Sequence, residues 1–287
     1  MKLGFIGIGI MGLPIAENIL KKSGLPVLGF DIDSDRCRQF VSVGGNCSKS
    51  PEEIFKTCEL VFLSLPNNDL VDMYINMAVK YSTSGTKIVD LSSSYPAIIR
   101  SYKETADIAG VSLIDCPVSG GEPKAIEGTL SAMCGGKKED IEAVLPYLKM
   151  FNIKVTYMGE LGCGYIAKLA NNMIVGTEMA LIAEAFNFAE KAGINNQVLF
   201  EAIRDGGAGS NVMDFKVPHM LDEKRLVSSH LSTHIKDQNN ALELAKEIGA
   251  YTPLCSIATE LMERMEKAGR GSEDVAAIID IFKHETK

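Results

Sequence analysis

Residues 161–177 run Leu-Gly-Cys-Gly-Tyr-Ile-Ala-Lys-Leu-Ala-Asn-Asn-Met-Ile-Val-Gly-Thr, so Lys168 is the only charged side chain between Glu160 and Glu178. A helix through this stretch sets Lys168, Asn171 and Asn172 at i, i+3 and i+4, on one face. An ammonium in apolar surroundings loses hydration and its pKa falls, which turns an inert group into one that gives and takes a proton. Amides beside it could hold an oxygen in line for that exchange. An amphipathic surface helix whose lysine stretches to solvent has the same local pattern. The rest of the chain must decide between the two.

The N-terminus carries a second chemical pattern. Residues 2–6 are a short apolar run, followed by Gly7-Ile8-Gly9-Ile10-Met11-Gly12 and then apolar residues at helical spacing, Ile15, Ile19 and Leu20. This reads as strand, glycine turn, helix. Gly7 permits a tight turn, Gly9 lets backbone approach a pyrophosphate, and Gly12 lets the helix pack closely on the strand. Ile10 and Met11 lead into the helix, whose first N–H groups and positive dipole end suit phosphates. A second strand over 26–30 ends at Asp31, where a Rossmann unit presents a carboxylate to the adenosine ribose. Such a carboxylate repels a 2'-phosphate, and Ile32 and Asp33 add no cation, although Arg36 and Arg38 follow. NAD is therefore the expected cofactor, with NADP possible. Asp33 reads as a helix N-cap.

These groups need elements to hold them. Helices over 35–43 and 51–56, a strand over 60–65, a helix over 69–79, a strand over 87–91, a helix over 96–109 and a strand over 111–115 alternate. That alternation predicts an α/β fold with a doubly wound parallel sheet, whose ligands gather at the carboxyl ends of the strands. Leu65, Pro66 and Asn67 after one strand and Ser93 after the next are expected on the cofactor. Ser119, Gly120 and Gly121 after a third could offer a hydroxyl and backbone N–H groups to a carboxylate. No element is assigned between 121 and 153. Beyond a strand over 154–157 the pattern is helical only, over 162–191, 196–204, 232–248, 253–268 and 272–282, interrupted by Asp205-Gly-Gly-Ala-Gly-Ser210. The expected domains are a dinucleotide-binding unit over 1–161 and an all-α unit over 162–287, joined by a long interdomain helix of about 45 Å. Leftover apolar helical faces suggest a homodimer or homotetramer.

Composition excludes some classes of partner. The formal charge of −8 argues against a nucleic-acid surface or an anionic membrane, both of which need clustered Lys and Arg. The 7 cysteines include no C-x-x-C, so a disulfide framework or zinc ribbon is not expected and a reducing cytoplasm is. The apolar run at the N-terminus is too short for a signal-peptide core or a membrane span. His230 and His234 have the spacing of a helical metal pair, but Leu231 stands where a metalloprotease motif has Glu, so no metal is expected.

In this order and spacing, the blocks resemble the β-hydroxyacid dehydrogenase family, which includes 3-hydroxyisobutyrate dehydrogenases and tartronate semialdehyde reductases. The blocks are Gly7-x-Gly9-x-x-Gly12-x-Pro14-x-Ala16-x-Asn18; Asp115-Cys116-Pro117-Val118-Ser119-Gly120-Gly121 with Gly128-Thr129-Leu130; Gly162-x-Gly164-x-x-x-Lys168-x-x-Asn171-Asn172; and Lys236-Asp237. The resemblance spans essentially the whole chain. It implies Lys168 as the catalytic residue, Asn172 as its substrate-orienting partner with Asn171 beside it, Ser119, Gly120 and Gly121 as carboxylate binders, and Lys236 near nicotinamide and substrate. Two departures are small: Cys116 replaces the family's usual Ala, and Ser92-Ser93 replaces Ser-Thr. A third is chemical. Glu122-Pro123-Lys124-Ala125 stands where many members have small or apolar residues, and Lys124 could reach a second acidic group on a substrate. The competing readings are an imine reductase on the same scaffold, whose relatives usually lack the lysine, and a non-catalytic dinucleotide sensor.

Overall fold

Four-residue strands that are apolar on both faces recur through the first half of the chain, and such strands are stable only when helices cover both sides of their sheet. The computed structural model describes residues 1–222 and 224–284. The chain divides into two compact units, Met1–Lys168 and Leu169–Lys287. The boundary expected from composition, between 161 and 162, falls at the start of the helix that crosses this division.

The first unit opens with β1 (Leu3–Ile6), α1 (Gly12–Ser23), β2 (Val27–Phe30), α2 (Ser34–Ser42), β3 (Asn46–Cys47), α3 (Pro51–Thr57), β4 (Leu60–Leu63), α4 (Asn68–Tyr81), β5 (Lys87–Asp90), α5 (Pro96–Ser101), α6 (Lys103–Ala109) and β6 (Ser112–Asp115). The strands lie side by side in the order β3-β2-β1-β4-β5-β6, all parallel. Every residue of β1 and β4 is buried. Local chemistry sets the helix starts: Asp33 accepts from the Asp35 N–H ahead of α2, and Asn67 accepts from the Leu70 N–H ahead of α4. The helix expected over 96–109 is two helices, broken at Tyr102.

The stretch left without elements is structured. It contains β7 (Val118–Ser119), α7 (Gly121–Glu127), β8 (Leu130–Gly135) and α8 (Lys138–Leu148), followed by β9 (Asn152–Gly159). β8 pairs antiparallel with the end of β6 and with β7, and parallel with β9 on its other edge. The sheet is therefore mixed at this side, where only parallel strands were expected. α9 (Cys163–Lys191) then carries the chain from the first unit into the second.

The second unit is helical: the rest of α9, α10 (Asn196–Ile203), α11 (Asn211–Leu221), α12 (Leu231–Ile248), α13 (Pro253–Lys267), a 3-10 turn over Val275–Ile278 and α14 (Ile279–His284). Its core gathers Met179, Ile182, Phe186, Val217, Met262 and the wholly buried Val275–Ile278 turn. α11 was not expected. Ser210 starts it by accepting from the Met213 N–H at 3.0 Å, and Met213, Val217 and Met220 give it a buried face. Among the described residues no helix is long and apolar enough to cross a membrane.

One buried ion pair organises this unit. Lys216 on α11 lies 3.1 Å from Asp274, with the two side chains 6% and 0% exposed. Asp274 also accepts from the N–H groups of Ser228, Ser229 and Ala276 at 2.7, 3.0 and 2.9 Å. Burial alone would raise its carboxyl, but the Ala276 N–H, the Lys216 ammonium and the Ser228 donors hold it well below the usual range. Replacing Lys216 by Met leaves that carboxylate buried without its cation. We expect a loss of about 3–5 kcal/mol of stability, seen as a lower urea midpoint at unchanged slope; a midpoint within error of wild type would contradict the pairing.

Candidate active site

The parallel strands β1, β2, β4, β5 and β6 end on one edge of the sheet, so the segments that follow them come together there. After β1 lies the glycine turn. A Cβ on Gly7, whose φ is +89°, would meet the Ser64 carbonyl oxygen at 2.2 Å, and one on Gly12 would meet the Gly7 carbonyl oxygen at 1.9 Å. Gly9 differs: its Cβ would meet nothing within 4 Å. The turn is thus packed shut at Gly7 and Gly12 and open at Gly9. α1 has no side-chain N-cap; Leu13 donates to the Gly9 carbonyl at 3.0 Å and Pro14 has no N–H, so of its first residues Gly12 offers the N–H that an outside acceptor could take. These features fit a dinucleotide pyrophosphate. A groove of about 300 Å³ beside Gly9 is lined by Ile10, Pro14, Lys21 and Arg36, among others.

Asp31, directly after β2, accepts from the Ile8 N–H at 2.7 Å and from the Asp33 N–H at 2.9 Å. Its carboxylate is thereby fixed against the glycine turn. Leu65 and Ser92 are joined across the ends of β4 and β5, the Leu65 N–H donating to Ser92 Oγ at 2.8 Å. Asn67 caps α4, and Pro66 and Ser93 occupy the same edge. Ser119 is half-buried in β7, and Gly120 and Gly121, with φ of +138° and +71°, lead into α7. Lys124 is on this helix, not in a loop. A Cβ on Gly120 would meet Lys124 Cδ at 2.8 Å, so the lysine stem covers that glycine and its exposed ammonium is two bonds beyond.

Lys168 lies on α9, half-buried. The first turn of α9 is tied down by two carboxylates from the ends of β5 and β6. Asp115 accepts from the Gly162 N–H at 2.6 Å and from the Tyr165 N–H at 2.8 Å, while Asp90 accepts from the Tyr165 hydroxyl. Both acids are wholly buried, and they are direct neighbours in the β5–β6 register. Gly164 permits the approach, since a Cβ there would meet the Asp115 carbonyl oxygen at 2.7 Å. The sequence showed Asp115 only as part of a block and gave Asp90 and Tyr165 no role. A carboxylate closing each of two adjacent apolar strands was the available signal.

In the second unit Asn172 donates to Asp237 at 2.6 Å and accepts from Asn171 at 2.9 Å. Asp237 also lies 3.0 Å from the Lys236 ammonium. The structure therefore gathers Asn171, Asn172 and Lys236 around one buried carboxylate, Asp237, which the sequence showed only as part of a block. Gly176 makes this possible. A Cβ there would meet Gln238 Nε2 at 1.9 Å, so α12 approaches α9 as closely as it does because position 176 has no side chain. His230 and His234, by contrast, have separate partners, Ser272 and Ser229, at 2.9 Å each.

Comparison with known proteins decides the family. Residues 2–159 match the family described as the NAD binding domain of 6-phosphogluconate dehydrogenase, and residues 162–282 match NAD-binding of NADP-dependent 3-hydroxyisobutyrate dehydrogenase. The chain belongs to the β-hydroxyacid dehydrogenase family. Members of this family are NAD(P)-dependent oxidoreductases that move hydride on and off hydroxyacids, and the chain is an enzyme of that class. The 2-(hydroxymethyl)glutarate dehydrogenase of Eubacterium barkeri is 30% identical, covering 100% of this chain and 96% of its own. The 2-hydroxy-3-oxopropionate reductase of Escherichia coli is 31% identical over 99% and 97%. A solved 3-hydroxyisobutyrate dehydrogenase of Mycobacterium tuberculosis with L-serine superposes with a TM-score of 0.86 at 26% identity, covering 97% of this chain and 98% of that one.

The anchoring acid of α9 has a pH signature. Burial pushes the Asp115 carboxyl up to about 6, against the downward pull of the Gly162 and Tyr165 N–H groups. A folded-state pKa above the unfolded one gives stability that is fully present below the unfolded value and lost as pH rises through about 6. Asp115→Asn has no such titration and loses an acceptor for one of the two N–H groups, at a cost of about 1–3 kcal/mol. The margin of wild type over this variant should shrink between about pH 4 and pH 6 and then stay flat. Parallel urea midpoints across that range would contradict the assignment.

Proposed function

We propose that the chain interconverts a small β-hydroxyacid and its semialdehyde, with Lys168 as the general acid/base. The observation that supports this best is the anchoring of Tyr165, one turn before Lys168, by Asp90 and Asp115, which fixes the helix face the lysine occupies. In the oxidative direction neutral Lys168 takes the hydroxyl proton; in reduction the ammonium polarises the carbonyl oxygen and protonates the developing alkoxide. A nicotinamide held there would supply the hydride chemistry. Ser119 with the N–H groups of Gly120 and Gly121 holds the substrate carboxylate. Asn172, with Asn171, holds the reacting oxygen in line, its amide set by Asp237. Lys236 serves the nicotinamide end.

For the cofactor, Gly7, Gly9, Ile10, Met11 and Gly12 would hold the pyrophosphate, Leu65, Pro66, Asn67 and Ser93 would line its path, and Asp31 would take the adenosine ribose. The Asp31 carboxylate favours NAD over NADP. For the substrate, Lys124 supports a compound with a second acidic group: its ammonium is close to the carboxylate cradle, and the Eubacterium barkeri relative bears the name of a diacid.

The test is a panel of 3-hydroxyisobutyrate, glycerate, 2-(hydroxymethyl)glutarate and serine with NAD and NADP, followed by absorbance of the reduced nicotinamide. Turnover of a β-hydroxyacid with NAD preferred is expected, and 2-(hydroxymethyl)glutarate should exceed 3-hydroxyisobutyrate in kcat/KM. Lys168→Ala should lower turnover roughly 100-fold or more while NADH still binds, as read by its fluorescence. Wild-type turnover in that variant would remove the mechanism.

A further inference from the structure

Two of the cysteines face each other across the sheet. Asp115 pairs with Gly135 and Val118 with Ala132 in the antiparallel ladders of β8, so the register sets Cys116 directly opposite Cys134. The neighbouring pair is hydrogen-bonded, the Met133 N–H donating to the Pro117 carbonyl at 3.0 Å, whereas the Cys116 N–H turns away from β8 and donates to the Asp90 carbonyl at 2.7 Å. Cys116 and Cys134 are therefore a non-hydrogen-bonded pair, in which opposed Cα atoms approach to about 4.5 Å. That spacing is within the range a disulfide spans. Both side chains enter the same core, wholly buried, and their Sγ atoms are 2.8 Å apart.

We propose that Cys116 and Cys134 are a site of oxidation, joined as a cross-strand disulfide that staples β6 to β8. Two S–H bonds break and one S–S bond forms; the two electrons and two protons pass to a low-molecular-weight disulfide such as oxidised glutathione, which leaves as two thiols. The exchange runs through a mixed disulfide on one cysteine, which the other cysteine then displaces. Burial pushes the Cys116 thiol well above its ordinary range, with Cys134 adding to the push, so the closed pair stays protonated and reacts slowly. Local opening of the strands admits the oxidant, and closing then shuts the bond away from reductant. The position gives the bond its effect. Direct pairing of β6 with β8 is confined to Asp115 and Gly135, and Asp115 is the acid that receives the first turn of α9. A covalent link one residue further on, ahead of Ser119, reinforces the ladder where it is shortest. The link also closes residues 117–133 into a loop in the unfolded chain, which lowers the entropy of that state.

The experiment maps the bond and reads its effect on stability. The protein is equilibrated with oxidised or with reduced glutathione, each in buffer and in urea below the unfolding midpoint, where local opening is more frequent. Free thiols are then blocked with N-ethylmaleimide and the chain is digested with trypsin without reduction. Lys103, Lys124 and Lys137 place the two cysteines in separate peptides, 104–124 and 125–137. After oxidation these peptides should be recovered joined, lighter by two hydrogens than their sum, and dithiothreitol should part them. The oxidised protein should have a higher urea midpoint than the reduced one, and both Cys116→Ala and Cys134→Ala should abolish that difference. Peptides recovered apart and alkylated in every buffer would overturn the proposal. So would joined peptides with no rise in midpoint, or a rise that persists in either variant.

Discussion

Two carboxylates set side by side in a sheet, Asp90 and Asp115, are the constraint on which the first unit depends. They are paired in register at the ends of β5 and β6 and have no contact with water. Burial pushes the Asp115 carboxyl up and the neighbouring Asp90 adds to that push, so the arrangement is stable only because donors surround it. The donors come from the chain that must be positioned. The Gly162 and Tyr165 N–H groups and the Tyr165 hydroxyl all belong to the entry of α9. Asp90 also accepts from the Ser92 N–H at 2.8 Å, and Ser92 in turn accepts from Leu65. One network of buried hydrogen bonds thus links the loops after β4 and β5 to the helix that bears Lys168.

The proposed site has its chemistry on a rigid element and its adaptable parts on loops. Lys168 is three residues beyond the anchored tyrosine, too close for the helix to drift. The glycine turn after β1 is held by contacts that a single methyl group would break, whereas Gly9 is left open. Asn172 is similarly fixed in the second unit, where Asp237 orders its amide and Gly176 lets α12 come near enough to bring that acid. α9 therefore has two tasks along its length: a start pinned by buried acids and a middle with polar residues.

What the sequence revealed follows from how local each signal is. The β1-α1-β2 unit was readable because glycine spacing and the carboxylate after β2 are features of a short stretch, and the Lys168 face was readable because helical period needs only neighbours. The acids around α9 and Asn172 were not, since their meaning comes from partners 47, 75 and 65 residues away. β8 escaped because its alternation is built from small residues, Ser131 and Ala132 among them. α7 begins at a glycine with positive φ, and α8 and α11 contain Pro146 and Pro218, residues that normally argue against a helix interior. Lys124 was left without an element for the same reason: with α7 unseen, the glycines before it read as a turn.

The most direct measurement of the central claim is a crystal structure of the chain with NADH and a slowly reacting hydroxyacid. Lys168 Nζ should lie within about 3 Å of the substrate hydroxyl oxygen, with the substrate carboxylate on Ser119 and the N–H groups of Gly120 and Gly121, and with the Asp115 contacts to α9 intact. A substrate bound with Lys168 Nζ directed to another partner, and no hydrogen bond from it to the reacting oxygen, would contradict the proton-transfer role.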